Sequence, residues 1–494
     1  MKTKYLALSA LVMASSSVFA CTGFYAGKQV TDSGHVLIGR TIDSPSPLAT
    51  KCFTVQGAVS NAPGRVYASM RYGAGMPLPA DTYRFFGNPR VNMKEGGRWD
   101  SVCLNEKGLA LTGTVTAYPS VAATNADPYV AWGFAEDSLP GYIAMTCATA
   151  LEAVETVGKV LSEVGHRGGE IYMFVDPKEA WYVEVYTGHH WAAVKMPEDK
   201  VAVFGNEFSL RSFDEKSPDT RCSPGLVKFA EEHDFIVRGE DGFIDLAKTF
   251  ARPRWEFTHI RTWYGHRALA PASVDIENYR DEDEYPLFFT PEHKVSVSDF
   301  AELMRTRYED TKYCPEKSGR LTRIIGTVKQ SSCHIIDYDQ SLPAPFGATA
   351  YLTPAHSEHT PFLPVNAAMT RVSDEFAADR TDCRLGFRDY LAAHHFRRLA
   401  CLAGRDRQMF GDGVRKYWKD AETKWMKDFG EVVRTLDPQA ITDYSVRVQR
   451  ESLADCKRIF DDLAWHIVEH SWTLGDANND GSPIVQEKPF VPTR

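Results

Sequence analysis

The sequence predicts an α+β protein with sheets in its first part and a helical C-terminal region. Strand-like segments separated by a turn follow residue 20, at 22–30 and 36–40. Between about 250 and 370 the chain is rich in proline, aromatic residues and turn signals, which favours extended segments and loops. From about residue 371, apolar residues recur at the three- and four-residue steps of an amphipathic helix. We therefore expect a sheet-containing domain over 21–370 and a helical extension over 371–494.

Composition and charge exclude several classes of partner. The chain has 494 residues, of which 43% are hydrophobic, enough for a large core. Its 56 Lys and Arg against 65 Asp and Glu give a net charge of −9, which argues against nucleic acid or an anionic membrane as partner. After residue 20, no uncharged apolar run reaches the ~18 residues that span a bilayer. The ten cysteines include no C-x-x-C pair and predict neither a zinc site nor a dense disulfide framework.

The first twenty residues have the pattern of a secretory signal peptide. Lys2 and Lys4 are followed by the apolar segment 5–14, and Val18 and Ala20 suit the residues before a cleavage site. Cleavage after Ala20 would make the next residue, a cysteine, the first of the mature protein. We therefore expect a secreted or periplasmic protein that has no membrane segment after processing.

A cysteine in this position has two interpretations. One is a lipoprotein, in which Cys21 carries the lipid, although Phe19 is bulky for that motif. The other is a catalytic N-terminal cysteine whose own α-amino group is the base. The reference pKa values of the amine, about 7.7–8.0, and of the thiol, about 8.5, make proton transfer between them nearly balanced.

The following hairpin predicts two partners for Cys21. A turn signal at 31–34 separates the two strands, and a simple hairpin centred there places residue 21 opposite Asp43, with Arg40 nearby. Arg40 would favour the thiolate, and Asp43 would orient the α-amino group. A register shift of one residue would flip the faces.

Several motifs in the first half carry a family resemblance. Cys-Thr-Gly at the new N-terminus and the following G-x4-G-R-T-I-D-S motif, which ends at Ser44, resemble the cysteine N-terminal nucleophile hydrolases. Arg40 and Asp43 are similar to the pair of penicillin V acylases and bile salt hydrolases. Other matches resemble the dipeptidase A branch, and they are Glu136-Asp137, the segments 176–184 and 188–193, Met196-Pro197-Glu198-Asp199 and Gly205-Asn206-Glu207-Phe208.

The resemblance implies a four-layer αββα sandwich that hydrolyses an amide bond through an acyl-enzyme, without metal or organic cofactor. Asn206 resembles the asparagine that donates a side-chain N–H to the oxyanion hole, a role that needs a fixed neutral donor. A backbone N–H near Val115 is the candidate second donor. Glu184 could bind a substrate α-ammonium, with a solvated strand face as its alternative.

The C-terminal part predicts helices over 384–403, 414–436 and 445–471, which would pack on the sandwich or make contacts in a homo-oligomer. The tail also matches a calcium-loop pattern, but Pro483 interrupts it and no exit helix can follow, so a polar tail is the alternative. The candidate ligands are Asp476, Asn478, Asp480 and Glu487.

Taken together, these patterns predict an exported cysteine dipeptidase that hydrolyses dipeptides or small peptide amides. Two alternatives stay open. One is an N-acyl amide hydrolase of the penicillin V acylase or bile salt hydrolase type on the same fold. The other is a non-catalytic surface lipoprotein that binds peptides.

Overall fold

The fold was analysed in a computed structural model of the chain. It describes residues 21–44, 50–68, 75–90, 98–253, 256–319, 322–377, 387–473 and 488–493. The predicted signal peptide and all four candidate calcium ligands lie outside these residues, so both stay predictions.

Two antiparallel sheets form the centre of the molecule. In spatial order the first sheet consists of six strands, β14 (Val201–Phe204), β1 (Thr22–Ala26), β2 (Val36–Asp43), β16 (Gln330–Tyr338), β17 (Ala348–Leu352) and β18 (Leu363–Asn366). The second consists of eight, β15 (Thr220–Cys222), β13 (Trp191–Lys195), β12 (Ala180–Val185), β11 (Glu170–Val175), β10 (Ala110–Thr116), β9 (Asp100–Asn105), β8 (Phe85–Pro89) and β3 (Thr54–Gln56). Two small ribbons pair β4 (Val59–Ser60) with β7 (Asp81–Thr82) and β5 (Val66–Ala68) with β6 (Gly75–Pro77).

The two sheets stack face to face, and consecutive residues of a strand enter different cores. In β1, Tyr25 belongs to the core between the sheets, whereas Phe24 belongs to the core on the outer face. In β11, Met173 faces the shared core and Phe174 the opposite one. This is the two-residue period of a strand, here with apolar residues on both faces because both faces are covered.

Helices cover the outer face of each sheet. In the described part of the first 320 residues, the helices are α1 (Val121–Ala126), α2 (Leu139–Thr146), α3 (Ala150–Val164), α4 (Leu226–Glu232), α5 (Leu246–Phe250), α6 (Glu256–Leu269), α7 (Val297–Arg305) and α8 (Pro315–Ser318). Ile143 of α2 and Val157 of α3 share the outer core of the second sheet. Ile260 of α6 and Phe300 of α7 share that of the first. The order helix, sheet, sheet, helix confirms the predicted αββα sandwich.

The C-terminal part is helical, as the periodicity predicts. Its helices are α9 (Ala392–Ala403), α10 (Asp412–Val433) and α11 (Pro438–Thr473), with a π-helical turn at Arg407–Gly411 before α10. α11 begins earlier than predicted because a proline is accepted in the first turn of a helix. Both α10 and α11 contact β18, and Trp418 and Phe429 belong to the same core as Tyr25.

Two further expectations can be compared with the structure. The nine cysteines that it describes are free thiols. In the described ranges, every helix is too short or too polar to cross a membrane.

Candidate active site

The strand pairing around Cys21 differs by one residue from the predicted hairpin. Gly23 pairs with Arg40 and Thr22 with Thr41, so the ladder extends Cys21 toward Ile42 rather than Asp43. The connection between the strands is a long loop whose backbone bonds to residues 198 and 295, and these tertiary contacts set the register instead of a tight turn. The predicted placement of Asp43 opposite Cys21 is therefore wrong.

The observed register puts Arg40 on the face of Cys21, because residue 40 lies opposite residue 23 and residues 21 and 23 share a face. Nη2 of Arg40 donates a hydrogen bond to Sγ of Cys21 over 3.2 Å, and both side chains are buried. Burial raises the pKa of the Cys21 thiol, while the charge of Arg40 and its hydrogen bond lower it. Arg40 thus opposes the main obstacle to forming a thiolate in this place.

Asp43 reaches the site from the end of β2. Its backbone lowers the pKa of the Cys21 thiol and its charge raises it, while its carboxylate Oδ2 accepts a hydrogen bond from Nη2 of Arg323. No residue in the described part of the chain donates to the other oxygen, Oδ1, although it is buried. Burial raises the pKa of Asp43 to about 6, against the opposing charges of Arg323, Arg261 and Arg40. An unpartnered buried oxygen is the kind of acceptor that an ammonium group can satisfy.

Asn206 lies close to Cys21 because a buried arginine joins them. Nη2 of Arg261 donates to Oδ1 of Asn206 over 2.7 Å, and Nη1 of the same guanidinium donates to the carbonyl oxygen of Cys21 and, over 3.1 Å, to Oγ1 of Thr22. The side-chain Nδ2 of Asn206 donates to the carbonyl oxygen of Thr116 over 2.6 Å. These bonds fix which end of the Asn206 amide is the donor, and they hold it in one orientation.

Val115 precedes the residue that Asn206 contacts. It is buried, and β10 has a bulge between Gly113 and Val115 where it pairs with β11. Bulges re-aim the local backbone and often occur beside active sites. The structure therefore brings Val115 next to Asn206, and the role of its N–H as an oxyanion donor stays a prediction.

The environment of Glu184 fits neither interpretation made from the sequence, a substrate-binding carboxylate or a solvated strand face. Its carboxylate is fully buried and accepts hydrogen bonds from the hydroxyls of Tyr182 and Tyr186 at 2.8 and 2.9 Å and from the backbone of Ser209 and Leu210 at 2.6 and 3.3 Å. It does not lie on a solvated face. Four donors from the protein itself occupy its oxygens, so the geometry favours a structural role over ammonium binding.

Two cavities are lined by residues of this site, and one of them by Cys21 itself. One is lined by Cys21, Arg40, Asp43, Lys51 and Glu136, among others. Burial raises the pKa of Glu136 to about 7, with a further contribution from the charge of Glu170, and burial lowers that of Lys51 to about 7. The carboxylate of Glu136 lies 3.9 Å from Nη2 of Arg40.

The other cavity, of about 430 Å³, is lined by Asn206, Glu207, Tyr118 and Arg252, among others. The Arg252 guanidinium stacks 4.1 Å from the centre of the Tyr118 ring. Burial raises the pKa of Tyr118, and the charge of Arg252 opposes that rise. One space is thus lined by Cys21 and Glu136, and the other by Asn206.

Sequence reasoning missed Arg261, Arg323 and Lys51 and gave no role to Glu136. One signal for Arg261 exists, because an arginine between Ile260 and Trp263 in a helix is a charge in an apolar environment. We find no comparable signal for Arg323 or Lys51, whose positions depend on distant parts of the chain.

Comparison with known proteins finds relatives that are named as dipeptidases. Two proteins named probable dipeptidase B or probable dipeptidase, from Streptococcus pyogenes serotype M1 and Latilactobacillus sakei, are 28% and 29% identical over 444 and 354 residues. These alignments cover 86% and 70% of this chain and 86% and 74% of the relatives. A probable dipeptidase from Salmonella dublin is 26% identical over 74% of this chain and 85% of its own.

A solved structure, a variant of conjugated bile acid hydrolase from Clostridium perfringens, aligns over 70% of this chain and 92% of its own, with 10% sequence identity and a TM-score of 0.27. At that similarity it adds nothing to the fold assignment, which rests on the four layers described above. The family model of Peptidase family C69 matches residues 20–420, most of the chain. The chain therefore belongs to peptidase family C69 and is a peptidase.

Proposed function

We propose that this peptidase is an exported cysteine dipeptidase and that Sγ of Cys21 is its nucleophile. The observation that carries the proposal is the hydrogen bond of 3.2 Å from buried Arg40 to Sγ of Cys21, at the residue that follows the predicted cleavage site. A cation directly on the sulfur promotes the thiolate, the reactive form of a cysteine. None of the other eight described cysteines takes part in the proposed reaction.

Cleavage after Ala20 would supply the base. The freed α-amino group of Cys21 takes the thiol proton, and Sγ attacks the carbonyl carbon of the scissile amide. The buried Oδ1 of Asp43, which no described residue contacts, supports this step because it can accept a hydrogen bond from the new ammonium. The ammonium then passes its proton to the leaving amine as the C–N bond breaks, which leaves a thioester on Cys21.

Water completes the cycle. The free amine takes a proton from the water that attacks the thioester carbonyl, and the thiol is regenerated as the C–S bond breaks. In both steps the tetrahedral oxyanion would accept a hydrogen bond from Nδ2 of Asn206 and one from the backbone N–H of Val115. Arg261 acts as a positioning residue, because it holds both Asn206 and the Cys21 carbonyl.

A dipeptide suits the surroundings of this centre. Cys21 and Glu136 line one cavity, and a carboxylate there can hold the α-ammonium of a peptide. Arg252 lines the second cavity, where a guanidinium can hold a C-terminal carboxylate. The names of the relatives support the same substrate class.

The test combines intact mass, thiol chemistry and a substrate panel. We expect the exported protein to have a mass that begins at unmodified Cys21, and alkylation of that thiol to abolish hydrolysis of free dipeptides. N-acetylated versions of the same dipeptides should be poor substrates. A lipid-bearing mass would contradict the catalytic role, and a preference for N-acylated substrates would assign the chain to amide hydrolases of the acylase type.

Localisation needs a separate measurement. Fractionation of the producing cells should place the protein outside the cytoplasmic membrane. Replacing Ala20 by a bulky residue such as Arg should leave the precursor uncleaved and inactive, because the α-amino group stays in a peptide bond. Full activity of the uncleaved precursor would overturn the proposed base.

A further inference from the structure

Far along the chain from Cys21, the connection between β17 and β18 holds three groups that ligate metals. His356 precedes a short 3₁₀ turn, Ser357–His359, and His356, Glu358 and His359 are 2%, 3% and 1% exposed. One ring nitrogen of each histidine and one carboxylate oxygen of Glu358 lie within 4.8 Å of one another. The proposed reaction uses none of these residues.

We propose that His356, Glu358 and His359 form a binding site for one divalent transition-metal ion of the zinc type. Imidazole nitrogens and a carboxylate oxygen are the ligand set that zinc and its neighbours prefer, whereas calcium and magnesium prefer oxygen ligands alone. A water molecule would complete a four-coordinate site.

Two buried nitrogens at this turn need an explanation. Within the described ranges, Nε2 of His356 and Nδ1 of His359 make no hydrogen bond, although both atoms are buried. Buried polar atoms are nearly always partnered, and an exception calls for a water or an ion that occupies the place. Nδ1 of His359 also lies 3.9 Å from Oε2 of Glu358, close enough for one ion to bridge them after small side-chain movements.

Hydrogen bonds from Arg407 hold the carboxylate of Glu358 in place. Arg407 donates to Oε1 of Glu358 from Nε over 2.5 Å and to Oε2 from Nη2 over 3.1 Å. A ligating carboxylate is commonly oriented in this way by a hydrogen-bond donor behind it. Each carboxylate oxygen retains a lone pair for a metal, because an ionised carboxylate accepts about four bonds.

Most of the arginines around the proposed site are paired with carboxylates. Arg305 pairs with Glu422 at 2.6 Å, and Arg415 with Glu302 at 2.8 Å. Arg407 contacts Glu316 at 3.2 Å in addition to Glu358. Four of the five guanidinium groups whose charges act on the two histidines thus have carboxylate partners, Arg307 through Glu316, and the charge of Arg397 is the one that an incoming cation would face.

The backbone at Gly411 lies close to the ring of His359. The π-helical turn Arg407–Gly411 packs on His359, and a Cβ at Gly411 would lie 2.6 Å from Nε2 of that ring. π-Helical turns occur frequently at functional sites. The glycine therefore permits an imidazole position that any other residue would block.

The ion would act on structure rather than on the reaction. Ser357 donates to Oε1 of Gln330 from its backbone N–H over 2.9 Å and from its hydroxyl over 2.8 Å. Gln330 pairs with Asp43 across the β2–β16 ladder. A metal at the turn would thus brace the strand end that positions Asp43.

Metal analysis of the full-length processed protein tests the proposal. We expect about one zinc-type ion per chain after purification without chelator, or after addition of Zn²⁺ to chelator-treated protein. The thermal midpoint of chelator-treated wild type should rise with added Zn²⁺, since an ion that binds only the native state stabilises it. Co²⁺ in its place should give visible absorption typical of a four-coordinate site.

The double variant His356→Gln with His359→Gln should lose the ion and the Zn²⁺-dependent midpoint shift. His266→Gln is the matched control, because His266 is also buried but has the Pro286 carbonyl as partner, and it should keep both. Absence of bound metal in the wild type after Zn²⁺ addition, or an equal midpoint shift in the double variant, would overturn the proposal. If the double variant does not fold, the wild-type measurements alone decide.

Discussion

Cys21 and Cys333 are two buried thiols of the same sheet in contrasting environments. Cys21 directly precedes β1 and belongs to the core between the sheets, whereas Cys333 lies in β16 and faces the helices. Arg40 donates to the sulfur of Cys21. Cys333 has hydroxyl neighbours, Ser357 and Thr353, and the charge of Asp43 adds to burial in raising its pKa.

The two environments differ in the groups that oppose the effect of burial. Burial alone disfavours the thiolate in both places, and it raises the pKa of each. At Cys21 a guanidinium acts on the sulfur in the opposite direction, whereas at Cys333 the opposing groups are neutral, the hydroxyls of Ser357 and Thr353 and the backbone of Ile42. The two thiols therefore differ in the charge that each meets on its face of the sheet rather than in exposure, since both are buried.

The largest expected effect separates the two cysteines directly. Cys21→Ala should lower dipeptide hydrolysis by more than about a thousandfold, because the nucleophile is removed. Cys333→Ala should keep the rate within a few-fold and lose only packing in the outer core. Steady-state kinetics with a melting curve for each variant gives the answer. Equal rates for Cys21→Ala and wild type would refute the proposed mechanism.

Removing the proposed oxyanion donor should have the next largest effect. Asn206→Ala should lower kcat by about 10²–10³-fold, the usual loss for one donor in such a site. The rate of Cys21 alkylation should change little, since the thiol keeps Arg40. A variant that lost alkylation and hydrolysis together would instead indicate that Asn206 positions the cysteine.

The electrostatic part of the comparison can be tested at Arg40. Arg40→Gln should raise the pKa of the Cys21 thiol, and the alkylation rate near neutral pH should fall about tenfold for each unit of that rise. Arg40→Lys is the control, since it keeps the charge. A pH profile of alkylation measures the shift. An unchanged profile in Arg40→Gln would remove Arg40 from the explanation of reactivity.

The smallest effect on turnover is expected at the buried carboxylate of Glu184. Glu184→Gln should destabilise the fold by about 1–3 kcal/mol near pH 8, because an amide cannot accept from all four donors. Unfolding by denaturant should show this loss while alkylation of Cys21 is unaffected. Loss of dipeptide binding with unchanged stability would restore Glu184 as a substrate residue.

The same variant has a defined pH dependence. Burial raises the pKa of Glu184 to about 7 from its usual 4.5. The folded protein therefore holds this proton more tightly than the unfolded chain, and the associated stability is lost as the pH rises from about 4.5 through 7. The Gln variant has no such proton, so its stability deficit should narrow over that interval.

Much of the architecture is readable in the sequence because it follows from local patterns. The three- and four-residue apolar steps of the last 120 or so residues predicted helices that the structure contains at α9, α10 and α11. The turn and strand signals after residue 30 predicted that β2 returns beside β1 and brings Arg40 to Cys21. The register was wrong by one residue, since a loop held by distant strands replaced the tight turn.

The sequence by itself determined the local elements, the candidate nucleophile and the proximity of Arg40, which is only 19 residues from Cys21. Tertiary structure alone decided that Arg261 and Arg323, 240 and 280 residues from their partners Cys21 and Asp43, complete the site. It also decided that Glu184 is buried between the two sheets. The physical reason is the separation of the interacting residues along the chain. Strand pairing and helix period are properties of neighbouring residues, whereas the partner of a buried charge depends on which distant elements pack around it.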